Sequence, residues 1–69
     1  MKNEKFEVCI EIDRDKSGER YYIYKELNGA KLWVTKEKKL DRCIWSKAHV
    51  NDWEDAVKIA NQILNGEIR

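Results

Sequence analysis

His49 is the only histidine in the chain, and Cys43 and Asp52 are the nearest side chains that could act with it. A Cys–His pair becomes a nucleophile only when the thiol reaches the imidazole beside an oxyanion donor. Nothing in this spacing demands that arrangement, and His49 reads as a loop residue just ahead of a helix cap. Glu7 and Glu11 share one side of an extended strand, about 13 Å apart at the usual rise per residue. Carboxyl pairs that work on a single bond sit within about 10 Å of each other. The sequence has no glycine-rich phosphate loop and no HExxH pattern. Cys9 and Cys43, with one histidine, fall short of the four ligands of a structural zinc site. These residues point to a protein that is not an enzyme, with no metal, no cofactor and no small-molecule substrate.

The elements that would position any other chemistry are few. Sixty-nine residues allow a single small domain, residues 1–69, with a core of limited size. Hydrophobic residues make up 42% of the chain and charged residues 39%, with no proline and a formal net charge of +1. A near-zero balance matches neither a dedicated nucleic-acid module nor an acidic nucleic-acid mimic. The basic excess is local, running from Lys36 to Lys47. The amino terminus lacks an apolar signal core, so a soluble, cytoplasmic protein with reduced cysteines and no membrane contact is expected.

Phe6, Val8, Ile10 and Ile12 alternate with Glu7, Cys9 and Glu11, the period of a strand with one buried face, about residues 6–12. The polar run Asp13–Glu19 reads as a loop or wide turn. Asn28-Gly29 sits between two β-prone runs and predicts a type I′ hairpin joining strands at about 20–27 and 30–36. A two-residue loop fixes the register, with Leu27 opposite Ala30, Lys25 opposite Leu32, Tyr24 opposite Trp33 and Ile23 opposite Val34. A short last strand is expected at about 42–46, with Cys43 and Trp45 on the side of Tyr24 and Trp33. A helix is expected over about 52–65, capped by Asn51 with Glu54 completing a capping box and ended by Asn65-Gly66. Its apolar stripe holds Trp53, Ala56, Val57, Ala60, Ile63 and Leu64, with Ile59 at the edge.

The implied fold is α+β, an antiparallel sheet of three or four strands with one C-terminal helix packed on one face. That helix belongs on the aliphatic face, leaving Tyr22, Tyr24, Trp33 and Trp45 on the other, ringed by Glu7, Glu11, Lys31 and Thr35. Contiguous exposed aromatics on a small domain mark a contact surface. The competing arrangement folds the Asp13–Glu19 loop or a terminus over them as a second small core.

The segments ERYYIYKELNGAKLWV and NDWEDAVKIANQIL, in that order, resemble the arm-type DNA-binding domains of phage and transposon integrases. The chain also looks like plant AP2 domains. The resemblance is one of architecture, spans roughly Phe6 to Leu64, and implies a three-stranded sheet laid in the DNA major groove. It would set Tyr22, Tyr24, Lys31, Trp33 and Thr35 toward bases, and Lys36, Lys38, Lys39 and Arg42 on phosphates. Those families carry several arginines on the DNA face, whereas this face has Lys31 among Glu7, Glu11 and Glu26.

The leading expectation is therefore a small binding module working by protein–protein contact. Its partner would be a second copy of itself in a homodimer, or another protein for which it acts as inhibitor or accessory. Such small chains are at home in bacteria and their phages or mobile elements. Tyr22, Tyr24, Trp33 and Trp45 would fill apolar pockets, with Lys31, Glu7 and Glu11 orienting the rim. The alternative is a DNA-binding domain using the sheet and the Lys36–Arg42 segment.

Overall fold

Two antiparallel hairpins that share their middle strand build most of the sheet. The computed structural model describes residues 5–69. Strand β1 (Phe6–Asp15) pairs antiparallel with β2 (Gly18–Leu27), residue for residue from Phe6–Leu27 to Asp15–Gly18. The polar run expected to be a loop is thus mostly strand, closed by a turn at Lys16 and Ser17. Alternation of apolar residues reports burial rather than pairing, and beyond Ile12 this ribbon projects past the core with both faces wet. Local polar bonds replace apolar packing there. The Asp15 carboxylate accepts from the Ser17 amide (2.8 Å) and hydroxyl (2.6 Å), and pairs with Arg20 at 2.6 Å. Arg14 pairs with Glu19 across the strands. Gly18, at φ 129°, admits the chain into β2.

The second hairpin follows the sequence reading. Asn28 (φ 53°) and Gly29 (φ 82°) take the left-handed conformations of a type I′ turn. Strand β3 (Ala30–Val34) pairs with β2 as Leu27–Ala30, Lys25–Leu32 and Tyr24–Trp33. Beyond Trp33 the two strands part, so the expected Ile23–Val34 pair is absent and β3 stops at Val34, short of residue 36. A turn with Lys38 at φ 62° leads into β4 (Leu40–Asp41), which pairs with the other edge of β3. The chain then returns to the gap between β2 and β3. Ala48 donates to the Val34 carbonyl at 3.0 Å, Thr35 bridges Lys47, and β5 (His49–Val50) pairs with Tyr22 and Tyr21 of β2.

Two expectations change here. Ile44–Ser46 forms a 3₁₀ turn rather than the centre of a strand, and the strand pairing moves to His49–Val50. His49 is consequently part of the sheet and not a loop residue. The run RCIWS has β-prone side chains, but β3 has already used its outer edge on Leu40 and Asp41.

Helix α1 (Trp53–Leu64) crosses β1 and β2 on the aliphatic face. Its cap is Asp52, whose side chain accepts from the Glu54 amide at 3.1 Å. Asn51, expected in that role, instead donates its side-chain amide to the Glu19 carbonyl at 3.2 Å. It ties the helix entry to the first hairpin. The helix is also rotated from the expected stripe: Ala56, Ile59 and Ile63 are buried, while Leu64 and Trp53 stand at the rim. Gly66, at φ 77°, turns the chain back after Asn65. Its amide and those of Glu67 and Ile68 donate to the carbonyls of Ile63 and Gln62, a C-terminal cap that returns Ile68 to the core.

The core comprises Tyr21, Ile23, Val34, Ala56, Ile59, Ile63 and Ile68, with Val8, Ile10, Leu40, Val50 and Ala60 against it. Among the described residues no helix is long and apolar enough to cross a membrane.

Candidate functional site

The second face of the sheet carries the aromatic residues, as the register requires. Cys9, Tyr24 and Trp33 stand in one row across β1, β2 and β3, with Glu11, Tyr22 and His49 in the next. Trp33 meets Tyr24 with ring centroids 4.9 Å apart and the edge of Tyr22 at 6.5 Å. His49 sets its ring 5.8 Å from Tyr22. Hydrogen bonding to Cys9 and partial burial push the Tyr24 hydroxyl up from its ordinary pKa.

This face is not the open platform expected. Trp33 is only 4% exposed. The Asp13–Glu19 ribbon does not cover it, and neither does a described terminus. The cover comes from Lys47, whose ammonium lies 4.6 Å from the Trp33 ring centroid and 4.2 Å from that of Tyr22. Glu11 anchors it through a 3.4 Å ion pair. Lys31 adds a second cation, 4.9 Å from the Tyr24 centroid and 5.9 Å from that of Trp33. The 3₁₀ turn lies beside β3. Tyr22 and Tyr24 are left half-buried.

Trp45 is the residue that sequence reasoning misplaced most. It does not join Tyr22, Tyr24 and Trp33 in a shared stack; it is 92% exposed, at the middle of the 3₁₀ turn. Ile44 beside it is 50% exposed. The turn itself is held: Ser46 and Lys47 amides donate to the Cys43 and Ile44 carbonyls at 3.1 and 3.3 Å, and the Cys43 amide donates to the Asp41 carboxylate at 2.9 Å. Placing Trp45 required knowing that RCIWS turns, and no proline or glycine in that run signals it.

The residues assigned to phosphates and bases divide. Lys36, Lys38, Lys39 and Arg42 are exposed, and none has an ion-pair partner among the described residues. Thr35 is buried, its hydroxyl accepting from the Lys39 amide at 3.2 Å, so it stiffens the turn and does not face outward. Glu7 stands directly opposite Glu26 on the aromatic side.

The candidate chemical groups are mostly committed to structure. Asp52 caps the helix, His49 packs edge-on to Tyr22, and Cys43 opens the 3₁₀ turn. No group of three or more metal-ligating side chains gathers among the described residues. A groove of ≈ 620 Å³ runs between the end of α1 and the sheet, past Leu32, Leu40 and Leu64. Its ionisable lining, Lys25 and Arg69, is occupied by the Phe6 ring at 4.4 Å and the Gly66 carbonyl at 3.0 Å. Comparison with family models, curated proteins and solved structures finds no match to this chain.

Proposed function

We propose that this chain is a small non-catalytic binding module that acts by protein–protein contact, with Trp45 as its anchor. The observation that carries the reading is an indole 92% exposed on a hydrogen-bonded turn, next to a half-exposed Ile44. A tryptophan on a hydrogen-bonded backbone turn offers a large apolar area and has only two side-chain torsions to order on binding. Lys39 and Arg42 precede it by six and three residues. The matching surface is an apolar pocket rimmed by carboxylates, and contact there would occlude the partner, as an inhibitor or accessory protein does.

The test compares wild type with Trp45→Ala in light scattering and in capture from bacterial lysate. The reading expects a bound protein that Trp45→Ala releases while the unfolding midpoint stays put. A homodimer dissociated by Trp45→Ala would make the partner a second copy. Capture unaffected by the substitution would overturn the reading.

A second reading rests on Lys36, Lys38, Lys39 and Arg42, exposed and unpaired among the described residues, with an exposed indole three residues after Arg42. Cations for phosphates beside a ring for base stacking suit nucleic acid, in line with the resemblance to integrase arm-type domains. It expects oligonucleotide affinity to fall steeply with salt, about 0.7 to 0.9 logarithmic units per neutralised phosphate for each tenfold in salt.

A further inference from the structure

β1 is the outer strand of the sheet, paired with β2 along one edge and with no strand on its other edge among the described residues. The register identifies the groups on that open edge. A two-residue turn is closed by a hydrogen-bonded pair, and bonded and non-bonded pairs alternate along antiparallel strands. Counting back from Asp15–Gly18, residues Asp13, Glu11, Cys9 and Glu7 turn their N–H and C=O groups toward β2. Phe6, Val8, Ile10, Ile12 and Arg14 therefore aim theirs outward. The same count from Leu27–Ala30 gives β3 the alternate residues of β2, the complementary set.

Long edges are usually guarded by proline, a bulge or charged side chains, lysine above all. β1 has no proline, bulge or lysine over its ten residues, and its charges are acidic apart from Arg14. Its side chains instead select what pairs there. Glu7, Glu11, Asp13 and Asp15 share the aromatic side of the sheet with Cys9. Val8, Ile10 and Ile12 share the helix side, and Ile12 is 47% exposed. A second copy of the chain is a poor occupant. In any two-fold antiparallel pairing that keeps faces together and engages most of the strand, Glu7 or Glu11 meets Glu11, Asp13 or Asp15. Like charges directly opposite are destabilising. The nearby cations are Lys47 on Glu11, and Arg20 between Asp15 and Asp13. Glu7 has no cation within ion-pair reach among the described residues and faces Glu26 instead.

We propose that the outer edge of β1 takes up an extended segment of a partner protein by strand addition, one in which lysine or arginine alternates with apolar residues. Main-chain hydrogen bonds to Val8, Ile10 and Ile12 supply the affinity, and Glu7, the strand's carboxylate without an ion-pair partner among the described residues, supplies the preference for a cation. The inference goes beyond the Trp45 reading. The 3₁₀ turn packs on β3, across β2 from this edge, so the two contacts fail separately.

The probe is a fluorescent peptide of alternating valine and lysine, titrated against the full chain by anisotropy. Amide exchange is read residue by residue. Binding is expected to slow exchange at Val8, Ile10 and Ile12. Replacing the peptide's lysines with glutamate, or N-methylating its pairing edge, is expected to weaken binding by about tenfold or more. Glu7→Lys should reduce the preference for the lysine peptide, and Trp45→Ala should leave it unchanged. The proposal is overturned if the N-methylated peptide binds as well, if protection appears elsewhere, if Trp45→Ala abolishes binding, or if no peptide binds.

Discussion

Lys47 lies across Trp33, its ammonium 4.6 Å from the ring centroid and tethered to Glu11 at 3.4 Å. That relationship converts an aromatic face into a second, small core. The sheet is consequently covered on both sides, by α1 on one and by the Lys47 side chain over Trp33 and Tyr22 on the other.

Removing the cover should be measurable. Lys47→Ala deletes the cation over Trp33 and Tyr22 and the partner of Glu11, and should cost about 1 kcal/mol. Urea unfolding monitored in a Trp45→Phe, Trp53→Phe background checks this, and Trp33 emission should shift to the red. Lys47→Met keeps the apolar stem over the rings and should recover part of the loss.

The two tryptophans of β3 and the 3₁₀ turn should behave oppositely. Trp33→Ala removes a buried indole and should cost about 3 to 5 kcal/mol, enough to unfold a domain this small. Trp45→Ala should stay within about 0.5 kcal/mol of wild type. Thermal unfolding of each variant, with acrylamide quenching of the remaining indoles, tests the assignment.

Asp52, rather than Asn51, should carry the helix cap. Asp52→Ala should destabilise by about 1 kcal/mol and lower helical circular dichroism. Asn51→Ala should cost less and loosen the approach of Glu19, seen as faster amide exchange in the first hairpin. Equal effects would count against the cap assignment.

The first hairpin should respond to acid through Asp15. Its carboxyl is held down to about 2 by hydrogen bonds from the Ser17 hydroxyl and amide, then by Arg20. A carboxyl with a lowered folded pKa stabilises the fold above its ordinary value and loses that contribution as pH falls through the folded one. The hairpin should therefore loosen between about pH 4 and pH 2. Nuclear magnetic resonance titration of the Asp15 carboxyl checks the midpoint, and Ser17→Ala should move it up toward the ordinary range.

Much of the fold was legible in the chain because local rules decide it. Asn28-Gly29 dictated the turn, and a two-residue turn leaves one register, so Tyr24 opposite Trp33 followed directly. The separation of aliphatic from aromatic side chains followed from that register. The helix and its end at Asn65-Gly66 came from periodicity and capping chemistry. The existence of an aromatic row was therefore written in the sequence.

What covers that row was decided only by tertiary structure. Lys47 and Trp33 are distant in sequence and meet because β3 parts from β2 and leaves an edge that the returning chain fills. The same competition for edges turned RCIWS into a 3₁₀ turn and put Trp45 in water. Strand pairing beyond Ile12 was hidden for a related reason: alternation records which side chains meet the core, and that ribbon has no core to meet. The buried side of α1 is the one whose Ala56, Ile59 and Ile63 share the core with Tyr21, Ile23 and Ile68, contacts that helix periodicity alone does not specify. Hydrogen bonds close along the chain are set by residue type; which surfaces stay open depends on which distant segment arrives to pair there.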